Sequence, residues 1–231
     1  MEEDDSLDGL VRRVDPDRWL SSRFVADPVK RADLIALYAY DHELARAPKV
    51  ASKPLIAEIR LAWWREVLDE IFGGKPVRAH PAAQALADAV RRNALPRAPL
   101  EAMIDGRIEV LGLAALDRAT ADLWTDDIGG GGAELASRVL DAASPADAAR
   151  RAGRAWGLVM LRRTGVELEG DFMAWVSAAR SDATAASREV SAAAFPAIAV
   201  AALARAEGPE GPRSALSSRL SLLRAVLRGR V

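Results

Sequence analysis

Two acidic clusters in this chain have residue types and spacing that suit a metal ion. Asp122-Leu123-Trp124-Thr125-Asp126 sets two carboxylates four residues apart, with Asp127 adjacent. On a helix such a pair lies on one face, one turn above the other, and can share a divalent cation. Isolated charges on exposed helix faces are the norm, so a solvated helix end is the expectation and a cation site at Asp122 and Asp126 the weaker alternative. Asp41-His42-Glu43 is the one His-plus-acid cluster. A metal there needs ligands from elsewhere, and a buried acid more often finds an arginine or a backbone partner. His80 precedes Pro81, where a role at a helix start is expected. The run Gly129-Gly130-Gly131-Gly132 lacks the Lys-Ser/Thr of a phosphate-cradling loop, so it is read as a joint. With no cysteine, disulfides and thiolate metal sites are excluded.

The elements that must position these residues read as helices. A short helix is expected over Leu7 to Val14. Asp15-Pro16-Asp17 signals a second start, with Trp19, Leu20 and Phe24 as its apolar face. Asp27-Pro28 opens a long helix through about Leu44, closed by Pro48. On it Leu34, Leu37, Tyr38 and Asp41 share a stripe, which turns Asp41 inward. Pro54 opens the next, with Ile56, Ile59, Trp63, Val67 and Ile71 at helical spacing and Gly73-Gly74 as its stop. Further helices are expected over Pro81 to Asn93 and Pro99 to Leu113. The glycine run is either a loop or a kink where two helices approach closely. Ser144-Pro145-Ala146-Asp147 caps a helix on which Ala149, Gly153 and Gly157 form a smooth seam. Phe172 to Ala204 reads as alanine-rich helix interrupted by Pro196. The polar break Glu207 to Pro212 precedes a last helix to about Arg228. No stretch alternates with period two, so the fold class is all-α.

Composition agrees. Half of the 231 residues are apolar, enough for a sizeable core; only 5% are aromatic, and alanine and leucine dominate, which favours helix over sheet. The formal net charge of -1 argues against a general nucleic-acid binder, although charge is uneven. Glu2-Glu3-Asp4-Asp5 opens the chain, an acidic start of the wrong sign for a secretory or mitochondrial presequence. Arg213, Arg219, Arg224, Arg228 and Arg230 close it, with no acid after Glu210. No apolar run approaches the roughly 20 residues of a membrane-spanning helix. The expectation is a soluble, cytoplasmic protein with an acidic tail over 1–14, a helical domain over 15–205 and a basic amphipathic helix over 213–231. On that last helix Leu216, Leu220, Leu223 and Leu227 share a stripe. It is either a peripheral anchor on anionic lipid or a cap whose leucines close the bundle.

Several ordered segments resemble the squalene/phytoene synthase family. They are Arg31 to Tyr40 continuing to Lys49, Leu61-Ala62-Trp63-Trp64-Arg65-Glu66-Val67-Leu68, His80-Pro81-Ala82-Ala83-Gln84-Ala85-Leu86, Leu95 to Arg107, and Gly153 to Thr164. The resemblance covers roughly residues 18–165 and implies a helical bundle of the isoprenoid synthase type. Family enzymes carry an Asp-x-x-x-Asp pair on each of two helices to hold the Mg2+ that neutralises a diphosphate leaving group. Laid over this sequence, the pattern puts Ala45 and Lys49 at the first pair and Thr164 and Leu168 at the second. None of these side chains replaces an anionic ligand, and Lys49 adds a positive charge where a cation would sit. No catalytic residue and no cofactor is therefore expected, with Mg2+ implied only if the chain is active.

The resemblance also suggests anion-binding candidates in Arg31, Arg60, Arg107 and Arg163, which can grip a diphosphate bidentately. Tyr38, Asp41, Trp63 and Trp156 are candidates to line a pocket, with Trp64 and Trp124 as further aromatics, although core packing is the commoner role of tryptophan at helical spacing. Within the family the likeness is greatest to the branch that includes the mitochondrial complex I assembly factor and its bacterial relatives. That branch implies a non-catalytic helper at the inner membrane face, with a respiratory-chain assembly intermediate as protein partner and an isoprenoid or other lipid as a further ligand. The alternative is a Mg-dependent transferase that joins two prenyl diphosphates head to head, with Asp41, Asp122 and Asp126 as relocated ligands. A non-catalytic isoprenoid carrier is a third reading.

Overall fold

The computed structural model describes residues 6–51, 53–205 and 215–231, and of these the side chains of 205, 215 and 216 lie outside the description. The acidic start Glu2 to Asp5, the polar break Glu207 to Pro212, Arg213 and the Leu216 side chain therefore lie outside the described residues. The helices gather into two units, Met1–Gly112 and Leu113–Val231.

In the first unit, proline at the first helical position recurs as the start signal. Helices α1 (Leu7–Val14), α2 (Pro16–Ser22), α3 (Pro28–Lys49), α4 (Pro54–Phe72), α5 (Pro81–Asn93) and α6 (Arg97–Glu109) follow in order. At α2 and α3 the preceding aspartate completes the cap: Asp15 accepts the Arg18 N–H at 3.1 Å, and Asp27 accepts those of Val29 and Lys30. Helix α3 is the centre, buried continuously from Asp33 to Asp41 and packed by α1, α2, α4, α5 and α6. It runs past Leu44 to Lys49, so Pro48 sits inside its last turn instead of closing it. A proline so near the end removes only one helical hydrogen bond.

Two apolar faces differ from their sequence reading. On α2 the buried side is Arg18, Ser21 and Ser22, while Phe24 lies beyond the helix and is exposed. On α4 the buried side is Ala57, Leu61, Trp64, Val67, Leu68 and Ile71, with Ile56 and Ile59 exposed. Helix α6 starts at Arg97, ahead of Pro99.

In the second unit, β1 (Ala115–Leu116) leads into α7 (Arg118–Trp124), a π-helical turn (Thr125–Gly130) and α8 (Gly131–Leu140) without a break. Then come α9 (Ala146–Arg162), β2 (Glu167–Leu168) and α10 (Phe172–Ala186). The two short strands pair in parallel, Ala115 with Glu167 and Leu116 with Leu168. Helix α9 is the centre, flanked by the π turn, α8 and α10. The glycine run is neither loop nor joint: of its two readings the close approach of helices holds, and the run continues a helix at that crossing. A Cβ on Gly153 would lie 2.3 Å from the Gly129 carbonyl oxygen, and one on Gly129 would lie 2.5 Å from Gly157 Cα. Two backbones meet there because neither carries a side chain.

Helix α9 takes Pro145 as its N-cap residue, and the Ser144 hydroxyl instead accepts the Ser191 N–H at 3.3 Å. The alanine-rich stretch is not continuous helix. It stops at Ala186 and resumes as 3₁₀ segments, Phe195–Ala197 and Ala199–Arg205, buried at most positions described. The last helix, α11 (Ala215–Arg228), packs on the second of these. Among the described residues no helix is long and apolar enough to cross a membrane.

Candidate functional site

Ala45, Lys49, Thr164 and Leu168, the positions on which the resemblance lays the family's metal pairs, bring no carboxylate and do not share one backbone setting. Ala45, half-buried, and Lys49, exposed, are four apart on α3. Thr164, at the end of the stretch expected to be helical, and Leu168 both lie outside helix. Helix α9 ends at Arg162, and the Thr164 hydroxyl donates to the Leu161 carbonyl at 2.7 Å. Gly165 then adopts φ +83°, a left-handed turn that leads into β2, where Leu168 sits. The one-face, one-turn geometry that lets two side chains share a metal is missing at this pair.

Asp41 points inward, as its stripe implies, and is 1% exposed. It does not line a pocket. One carboxylate oxygen accepts from the Arg18 guanidinium at 2.5 Å and the other from Arg107. Arg18 also pairs with Asp15 and lies 4.8 Å over the Tyr38 ring. Arg107 donates a further bond to the Met103 carbonyl at 2.7 Å. Two aspartates and two arginines thus close a neutral buried centre that joins α2, α3 and α6. Burial drives the Asp41 carboxyl up, but the adjacent Arg18 and Arg107 charges and their hydrogen bonds outweigh it and hold the group below the usual carboxylate range. Burial raises the Tyr38 hydroxyl above its ordinary value, so it stays neutral. Arg107, expected among the anion binders, is spent internally, and Asp41 has both oxygens engaged by cations. Neither is available to a metal or a diphosphate.

Asp122 and Asp126 are likewise claimed, and separately. Asp122 is exposed and accepts from Arg118 at 2.7 Å. Asp126, in the π turn, accepts from Arg150 and from Arg154, each at 2.7 Å. Arg150 reaches Glu134 as well, at 2.9 Å. Partial burial raises the Asp126 carboxyl, and the bonds to Arg150 and Arg154 more than reverse this. Among the described residues no group of three or more His, Cys, Asp or Glu side chains is placed to hold a metal ion.

An open cavity of about 370 Å³ remains in the first unit, between the end of α3, α4 and the start of α5. Its volume lies at the lower end of the roughly 300–1,000 Å³ of small-molecule sites. Trp63, Trp64 and His80 form its aromatic wall, edge to face, with Trp63–Trp64, Trp63–His80 and Trp64–His80 centroids 5.0, 5.5 and 5.4 Å apart. Arg46, Arg60 and Glu43 supply its charges. His80 is the N-cap residue of α5 but makes no side-chain cap bond, and its buried Nδ1 has no partner among the described residues. Trp63 is thus the expected pocket residue that lines a cavity, and Arg60 the expected anion binder that does so.

The remaining candidates are scattered. Tyr38 is buried beneath Arg18, and Trp156 is buried in α9 with Arg163 stacked on it at 4.9 Å. Arg31 is half-buried near the start of α3. Arg18 escaped the sequence reading, although Asp15-x-x-Arg18 spacing hints at an ion pair. Its second partner, 23 residues on, leaves no local signal.

These helices make an all-α fold of the squalene synthase type. The squalene/phytoene synthase family profile matches residues 11–171, well over half of the chain, and the chain belongs to that family. It is 32% identical over 98 residues to NADH dehydrogenase (ubiquinone) complex I, assembly factor 6, of Bos taurus, a match that covers 42% of this chain and 29% of that protein. It is 23% identical over 87 residues to a homolog of that factor in Dictyostelium discoideum, covering 38% of this chain and 24% of that protein. The matched segments span less than a third of either relative. Squalene synthase HpnC from Alicyclobacillus acidocaldarius shares the fold, with a TM-score of 0.64 at 14% identity over 96% of this chain and 92% of that one.

Proposed function

We propose that this chain is a catalytically silent squalene/phytoene-synthase-like protein that acts by binding, as an assembly or scaffolding factor near a membrane, of the respiratory complex I type. The observation that carries this reading is Ala45 and Lys49 at the first metal pair, together with a second pair whose positions, Thr164 and Leu168, have left the helix. Mg2+ binds through carboxylates and water, and a lysine at a ligand position opposes it electrostatically. The similarity to proteins named complex I assembly factor 6 supports a protein partner from a respiratory-chain assembly intermediate. No cofactor and no nucleic acid enters this reading, and its setting is cytoplasmic, peripheral to the inner membrane. The aromatic cavity is the place for an isoprenoid or other small lipid ligand if one is carried.

The test is pyrophosphate release from farnesyl or geranylgeranyl diphosphate with Mg2+. None above a heat-killed control is expected. Sustained turnover overturns the proposal in favour of a Mg-dependent prenyl transferase.

A further inference from the structure

We propose that α11 is a membrane-docking element that lies flat on an anionic bilayer surface through its outward leucine stripe. The helix has two apolar sides, and only one is used within its unit. Leu222 and Ala225 are 0% and 4% exposed and face the 3₁₀ segment Ala199–Arg205. Leu220, Leu223 and Leu227 are 45%, 41% and 76% exposed. At about 100° per residue, Leu222 and Ala225 point away from the Leu220–Leu223–Leu227 row, so the two sides are nearly opposite. The inward side and the chain end fix this orientation, since the Thr184 hydroxyl on α10 donates to the Val231 carbonyl oxygen at 3.0 Å. Of the two sequence readings of this stripe, the closing of the bundle is done by other residues, Leu222 and Ala225.

The charges around the stripe decide what covers it. By helical position, Arg219 borders one edge of the row and Arg224 and Arg228 the other, with Arg230 just beyond left-handed Gly229. All four are exposed and form no ion pair among the described residues. Residues 215–231 contain no acid. An apolar row rimmed on both sides by guanidinium groups matches a headgroup layer that offers hydrocarbon below and phosphate or carboxylate around it. A second copy of this chain fits worse. An isologous pairing of the stripes would set arginine rows against each other with no carboxylate on either helix to offset them.

The inference deepens the membrane-side part of the proposed function and rests on that reading only for its setting. The test is flotation of the full chain with vesicles of phosphatidylcholine alone or mixed with phosphatidylserine. Binding to the mixed vesicles only is expected, and it is lost as salt shortens the screening length. Arg224→Gln weakens partitioning about fivefold, as does Arg228→Gln. Leu223→Ser with Leu227→Ser abolishes flotation at a nearly unchanged melting temperature, because neither side chain is among the buried core residues. Equal binding to both vesicle types, no binding to either, or leucine variants that float like the parent each overturns it. A dimer that the leucine changes dissociate, without vesicle binding, assigns the face to self-association and overturns it as well. Diphosphate turnover leaves this outcome untouched, so the two readings fail separately.

Discussion

Asp41 shows how a carboxylate in a synthase-like helix can be structural. Its inward direction was legible from the Leu34, Leu37, Tyr38 stripe, because helical periodicity is a local property. Its partners were not, since Arg18 and Arg107 lie 23 and 66 residues away and only the fold brings them together. Asp41→Asn leaves two buried guanidinium groups with one aspartate, Asp15. Breaking such a centre from one side costs about 3–5 kcal/mol, to be read from urea denaturation midpoints. Asp122→Asn removes an exposed pair with Arg118 and is expected to leave the midpoint unchanged. The pH dependence has a definite sign. Asp41 titrates lower in the folded chain than its unfolded value of about 3.9, so its contribution is complete above that pH and is lost as pH falls through the folded value. The parent should lose stability steeply below about pH 4, and Asp41→Asn should flatten that slope.

At the scale of elements, the crossing of the π turn over α9 joins two sequence signals of opposite legibility. The small-residue seam Ala149, Gly153, Gly157 was readable as a packing face from its spacing of four. The close approach at Gly129–Gly132 was one of two readings, but its unbroken helix was not, because four glycines in a row favour a break by propensity and only packing against α9 holds them helical. The alanine-rich stretch after Ala186 fails in the other direction. Its high helix propensity yields to a buried 3₁₀ path, since burial in the second unit outweighs a weak local preference. These glycines are separable by mutation. Gly153→Ala drives a methyl into the Gly129 backbone, which has no rotamer to yield, and should destabilise by about 1–3 kcal/mol or more. Gly132→Ala meets nothing within 4 Å and sits in α8, so it should stabilise by about 0.5–1 kcal/mol. Thermal melts of the two variants shift in opposite directions if the crossing is as close as described. A loss of stability in both would mean that the run needs glycine for backbone freedom instead.

For the whole molecule, the helical class and most start sites followed from proline and aspartate punctuation, whereas no linker composition marked the division at Gly112. Family enzymes carry both pairs on helices, and the second pair of positions departs from that because Gly165 turns the chain out of α9 before Leu168 is reached. On the proposed reading, this difference makes the silence of the site more than a matter of side chains. Ala45→Asp with Lys49→Asp would restore two carboxylates one turn apart on α3, a geometry that suits a shared cation. The same exchange at Thr164 and Leu168 would place one acid in a turn and one in β2, without a common helix face. The doubly restored α3 variant is therefore expected to fold like the parent by circular dichroism yet release no pyrophosphate from farnesyl diphosphate at any Mg2+ concentration. If two substitutions on α3 did bring back turnover, the rest of the machinery would have to be intact. The chain would then be an enzyme silenced at one site, and its binding role would need a different foundation.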